Sequence, residues 1–157
     1  MSRKPMRIKK RELAPDPIYG DRKISKFINC IMIGGKKSIA EKAVMTAFEY
    51  IKNTMNSNPK IIFDQAVENA KPLVELKPIR IGGTTYKVPI ELLPNKQLSL
   101  SLKWIVDSAR SRNESSIGLR LGKELVDCYK GEGITMKRRE EMHKMAEANR
   151  AFSHYRW

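Results

Sequence analysis

Between residues 21 and 70 the apolar positions of this chain return every three or four residues, the spacing that puts them on one side of a helix. Ile24, Phe27, Ile28 and Ile31 predict a first helix from Asp21 to Ile33, stopped by Gly34-Gly35. Ser38-Ile39-Ala40-Glu41 has the spacing of a capping box, so a second helix is expected to start at Ser38 and run past Tyr50. Ala40, Val44, Ala47, Phe48 and Ile51 would form its inner face. Asn58-Pro59 reads as a cap followed by proline at the first helical position, opening a third helix that turns Ile62, Ala66, Val67 and Ala70 inward.

The period then changes. Leu73 to Ile81 and Thr84 to Ile90 are two β-favouring runs on either side of Gly82-Gly83, which predicts a hairpin over residues 73–90. Pro78 and Pro89 remove donors from its ladder, so the ribbon cannot be the centre of a larger sheet. A lone hairpin is marginally stable in water. It is expected either to project as an arm carrying Lys77, Arg80 and Lys87, or to lie folded on the helices; spacing alone leaves both open.

Helical spacing resumes after Pro94 with Leu98, Leu102, Ile105 and Ala109, and again from about Ser115 with Ile117, Leu121 and Leu125. Gly118 and Gly122 leave a smooth strip on that fifth helix, for which close packing of another helix is the plainer explanation. Gly131-Glu132-Gly133 interrupts the chain. Thr135 is then expected to cap a sixth helix running to about Phe152. The predicted fold is mainly α: about six helices in a bundle, one protruding β-hairpin between helices three and four, and a basic N-terminal arm over residues 1–20, all within one domain, 1–157.

Charge turns this helical outline into a functional expectation. Thirty-one Lys and Arg stand against seventeen Asp and Glu among 157 residues, a net charge of +14. Self-repulsion of that size calls for a polyanion, and nucleic acid is the default partner. The excess lies toward the ends: residues 1–37 hold eleven basic and three acidic side chains, net +8. Cys30 and Cys128 have no metal-ligand spacing and read as buried thiols. No apolar run approaches the ~20 residues of a membrane span and no signal-peptide core is present, so a soluble, intracellular protein without membrane contact is expected.

No catalytic or cofactor chemistry emerges. Gly34-Gly35-Lys36-Lys37-Ser38 departs from the phosphate-binding loop because Cys30 stands at the first glycine position, Lys37 intrudes before Ser38, and a helix precedes the loop. Lys36 and Lys37 remain candidates for a backbone phosphate at a helix N-terminus. His143 and His154 have no partner ligands at metal spacing. The positive signal is dispersed over the arm, the Lys36-Lys37 loop, the ribbon, Lys103-Trp104 with Arg110 and Arg112, and Lys137-Arg138-Arg139; such scatter suits a folded RNA read by shape and phosphate position. Trp104 itself reads as core. A helix-turn-helix regulator binding DNA is the alternative, since helix pairs joined by short glycine-containing turns are present.

The stretch from Met136 to Trp157, MKRREEMHKMAEANRAFSHYRW, resembles the C-terminal signature of bacterial-type ribosomal protein seven of the small subunit. The resemblance extends to Asp16-Pro17-Ile18-Tyr19-Gly20, to the run from Ile31 to Ser38, to Gly82 through Pro89, and to Lys103-Trp104-Ile105-Val106 with Ala109-Arg110. It implies a cytoplasmic protein of a bacterial or organellar ribosome that binds the 3′ major domain of small-subunit ribosomal RNA and nucleates head assembly, beside neighbouring head and platform proteins. By position it implies RNA contacts at Arg3, Lys4, Arg7, Lys9, Lys10, Arg11, Lys36, Lys37, Lys96, Lys103, Arg110, Arg112, Lys137, Arg138 and Arg139. It further implies proximity of Lys77, Arg80, Gly82, Gly83, Tyr86 and Lys87 to exit-site tRNA and the mRNA path. The chain departs from the family pattern at Pro94-Asn95-Lys96-Gln97, where two arginines are common, and at Asn113-Glu114-Ser115-Ser116.

Overall fold

A computed structural model describes residues 12–155. Among them run α1 (Arg22–Ile31), α2 (Lys37–Met55), α3 (Pro59–Ala70), β1 (Val74–Ile81), β2 (Thr84–Glu91), α4 (Pro94–Arg110), α5 (Ile117–Lys130), α6 (Gly133–Ala148) and a 3-10 helix, Arg150–Tyr155. The mainly helical fold with one hairpin between α3 and α4 is the expected one. Arg3, Lys4, Arg7, Lys9, Lys10 and Arg11 lie outside the described residues.

Residues 16–20, expected as the end of an extended basic arm, form a turn. The Asp16 side chain accepts from the backbone N–H groups of Ile18 (3.1 Å) and Tyr19 (3.0 Å), and Gly20 donates to the Asp16 carbonyl at 2.8 Å. The resulting turn sets the Tyr19 ring edge-on to Phe48, 5.2 Å between centroids, so this stretch is anchored to the core rather than extended.

Helix α5 lies at the centre, packed on α2, α3, α4 and α6. Its glycine strip explains the closest approach: a Cβ on Gly118 would stand 2.7 Å from Thr46 Cβ, and one on Gly122 would stand 2.8 Å from Tyr50 Cδ1. The core joins Phe27, Phe48 and Phe63 from α1, α2 and α3 with Leu102 and Ile105 of α4 and Leu121 and Leu125 of α5. Trp104, at 5% exposure, is buried as expected.

Two helix starts differ from the sequence reading. Helix α2 begins at Lys37, with Lys36 at the cap position and no side-chain cap, so Ser38 and Glu41 do not form the expected box. Gly34 and Gly35, at φ +59° and +74°, let Lys36 and Lys37 donate to the carbonyls of Ile33 and Gly35 (3.2 and 2.8 Å), which satisfies the turn without a serine. Helix α6 begins at Gly133, not at a Thr135 cap; Thr135 lies inside the first turn, fully buried. Its end also differs: α6 stops at Ala148 and tightens into the 3-10 helix instead of continuing to Phe152. The expected Asn58 cap holds, accepting from Lys60 N–H at 3.0 Å, and α5 is capped by Ser116, which accepts from Leu119 N–H at 3.2 Å.

The hairpin is a two-stranded antiparallel sheet in the register Ile81↔Thr84 to Val74↔Glu91. Gly82 and Gly83 both have positive φ, +55° and +91°, as a two-residue turn matching the strand twist requires. Of the two arrangements left open, the inner face lies on the helices: Tyr86 packs against Phe152 (5.2 Å) and Tyr155 (5.6 Å), and Val88 is fully buried. At its base the Leu73 N–H donates to His143 Nε2 at 3.1 Å. The turn itself stays exposed.

Candidate nucleic-acid interface

Helix α4 carries Lys96, Lys103 and Arg110 at intervals of seven residues, two turns apart, so all three stand on one face, and all three are exposed. The row spans roughly 21 Å. Its members differ in freedom: Lys96 pairs with Glu75 of β1, Lys103 has no ion pair among the described residues, and Arg110 donates one guanidinium nitrogen to the Ile31 carbonyl at 3.1 Å. That last bond ties the end of α4 to the end of α1.

Arg110 thereby reaches the α1–α2 loop, and with Lys36 it lines a cleft of about 580 Å³. Arg120 of α5, which sequence reasoning missed, completes a group of three cations there; its Nε donates to the Glu114 carbonyl at 2.6 Å. Nothing in the local sequence marks Arg120, because only the packing of α5 against α2 and α4 brings it beside residues 84 and 10 positions away. The rest of the wall is aliphatic, including Ile33, Ile39 and Ile117, and no described residue lining the cleft is acidic. Lys37 stands next door in the first turn of α2, 3.7 Å from Glu41.

A second group crosses from α4 to α6. The Arg138 guanidinium lies over the Trp104 ring, 5.4 Å from its centroid, and so packs α6 on α4. Lys137 is exposed on the same turn of α6. Arg139 faces inward: one guanidinium nitrogen donates to the Asn69 carbonyl at the end of α3.

Arg112, expected at the RNA surface, is turned inward and its charge is used within the protein. It donates to Glu124 at 2.7 Å and to Asp127, and stands 3.9 Å from Glu114; its side chain is 16% exposed and that of Glu124 is 0%. Glu124 also accepts from Thr135 N–H (3.1 Å) and Thr135 Oγ1 (2.6 Å), so a carboxylate of α5 caps the first turn of α6. Burial lowers the Arg112 pKa, but the hydrogen bonds to Asp127 and Glu124 outweigh it and the net direction is up. Beside this cluster the Cys128 thiol is pushed up to about 12 by burial, so it is a neutral, unreactive core group.

In the hairpin, the register puts Arg80 and Lys87 on one face, with Lys77 and Tyr86 on the other. Lys77, Arg80 and Lys87 are exposed, whereas Tyr86 is half-buried in the aromatic contact with the 3-10 helix. Among the described residues no three or more His, Cys, Asp or Glu are grouped to hold a metal ion, and no helix is long and apolar enough to cross a membrane.

Cations presented in rows and clusters on a rigid helical body define a basic scaffold for a polyanion. The chain belongs to the ribosomal protein S7p/S5e family, whose model matches residues 2–150, and this is a structural, non-enzymatic family. It is 52% identical over 150 residues, 96% of each chain, to the small ribosomal subunit protein uS7 of Thermodesulfovibrio yellowstonii. It is 46% identical to the proteins of the same name from Leptospira biflexa, over all 157 residues of both chains, and Nitrosococcus oceani, over 150 residues and 96% of each.

Proposed function

We propose that the chain is a structural constituent of the small ribosomal subunit in the cytoplasm, acting as a single RNA-binding domain. It binds the 3′ major domain of the small-subunit RNA, helps to nucleate the subunit head, and lies beside neighbouring head and platform proteins. The observation that carries the reading is the cation row Lys96, Lys103, Arg110 along α4, which continues into Lys36 and Arg120 at one end, with Arg138 of α6 stacked on Trp104 of the same helix. Fixed spacing on a rigid helix favours phosphates held at set distances, the way a folded RNA presents them. Arg112 and Arg139 act by holding α4, α5, α6 and α3 in register, so their part in RNA binding is indirect. The exposed turn and the Arg80–Lys87 face of the hairpin supply the contacts toward exit-site tRNA and mRNA, with Lys77 on the opposite face.

The test is a salt series with the full chain on the 3′ major domain RNA against duplex DNA of equal charge. Binding to the RNA should persist at salt concentrations that release the DNA. Equal affinities with one common salt slope would reduce the chain to a general polyanion binder and reopen the helix-turn-helix reading.

A further inference from the structure

The cleft between the α1–α2 loop and the facing ends of α4 and α5 has a wall that phosphate contact does not need. Ile33 is 69% exposed and Ile39 57% exposed, and both face a concavity whose about 580 Å³ lies in the range of sites that take a small organic group. An open aliphatic wall beside three cations fits a ligand with an apolar face and anionic flanks. We propose that this cleft receives one unstacked nucleotide of the bound RNA, its base against Ile33 and Ile39 and its flanking phosphates on Lys36, Arg110 and Arg120.

The inference rests on the RNA-binding reading and adds to it a site of defined chemistry. Three features favour a nucleotide. Arg110 ends the α4 cation row, so a strand following that row arrives at the cleft. The three polar side chains lining it are all donors, matching phosphate and base-carbonyl oxygens. Each arginine is anchored through one nitrogen to a backbone carbonyl, which orients the remaining guanidinium plane for stacking or phosphate contact before the ligand arrives. With no side-chain acceptor at the wall, the site holds a base by its face and discriminates weakly among bases.

Two neutral substitutions on exposed positions, Ile39→Gln and Ile33→Gln, test this in the full chain, using the 3′ major domain RNA as probe and thermal melting to confirm the fold. Removing the apolar contact should weaken RNA binding about ten-fold with an unchanged salt slope. Lys36→Gln should instead lower the slope by roughly 0.7–0.9. Native affinity in both isoleucine variants would overturn the nucleotide site while leaving the RNA-binding reading intact; failure of the native chain to prefer the RNA over duplex DNA would overturn that reading first. Photocrosslinking from benzoylphenylalanine in place of Ile39, in assembled subunits, should yield an adduct at one nucleotide. An adduct to protein alone would assign the cleft to an acidic peptide segment and refute the proposal.

Discussion

Replacing Arg112 by methionine would remove the only described cation in contact with Glu124, whose side chain has no exposure to water. Of the carboxylates that Arg112 touches, Glu114 keeps Lys123 at 3.2 Å and Asp127 is one-third exposed, so both retain other solvation. Glu124 would keep only the two Thr135 donors and the distant Cys128 thiol. The loss therefore concentrates on one stranded buried charge, for which removal of one partner costs about 3–5 kcal/mol. In a chain of this size that lowers Tm by about 6–20 °C. Urea unfolding of the single variants and of Arg112→Met/Glu124→Gln closes a double-mutant cycle, and neutralising the carboxylate should recover about 2 kcal/mol of the loss. A cost below about 1 kcal/mol for Arg112→Met, the size of an exposed pair, would refute the assignment of Arg112 and Glu124 as the structural tie between α4, α5 and α6.

Three further outcomes are expected. Gly118→Ala should destabilise despite the better helix propensity of alanine, because the added Cβ meets Thr46 Cβ at 2.7 Å and the Ala43 carbonyl at 3.0 Å; overpacking of about 1–3 kcal/mol outweighs a gain of about 1, and denaturant midpoints would read it. Burial, with Arg139 nearby, lowers the His143 pKa, and its Nε2 accepts from Leu73 only when neutral. A depressed folded pKa means that this contribution is fully present above the unfolded value of about 6.5 and is lost as pH falls through the folded one. The protection factor of the Leu73 amide, its exchange rate relative to the intrinsic rate at the same pH, should therefore fall as His143 becomes protonated, and His143→Gln should flatten the dependence. In RNA binding, Arg110→Ala should lower the salt slope by roughly 0.7–0.9, whereas Arg112→Gln, measured below its melting temperature, should leave it unchanged; equal effects would mean that Arg112 reaches phosphate after all.

The elements and their order were legible because short-range chemistry wrote them: period 3.6 through Phe27, Val44 and Leu121, proline after Asn58, and a Gly-Gly turn between β-branched runs. Helix starts failed where the capping partner came from outside the local window, as with Glu124 reaching Thr135 across eleven residues, or where backbone carbonyls replaced a side chain, as at Gly35. The candidate site divides the same way. Charge and charge location were available from composition, but the sequence treats every arginine alike. Arg112 and Arg139 fold inward onto Glu124 and the Asn69 carbonyl, Arg110 and Arg120 meet at a cleft, and Tyr86 turns toward Phe152, because these outcomes depend on which helix faces the long-range contacts bring together. Local patterning determined that the protein is a basic helical scaffold with a hairpin. Tertiary packing alone decided which of its cations remain free for a partner, since desolvation and ion pairing are set by neighbours distant in the chain.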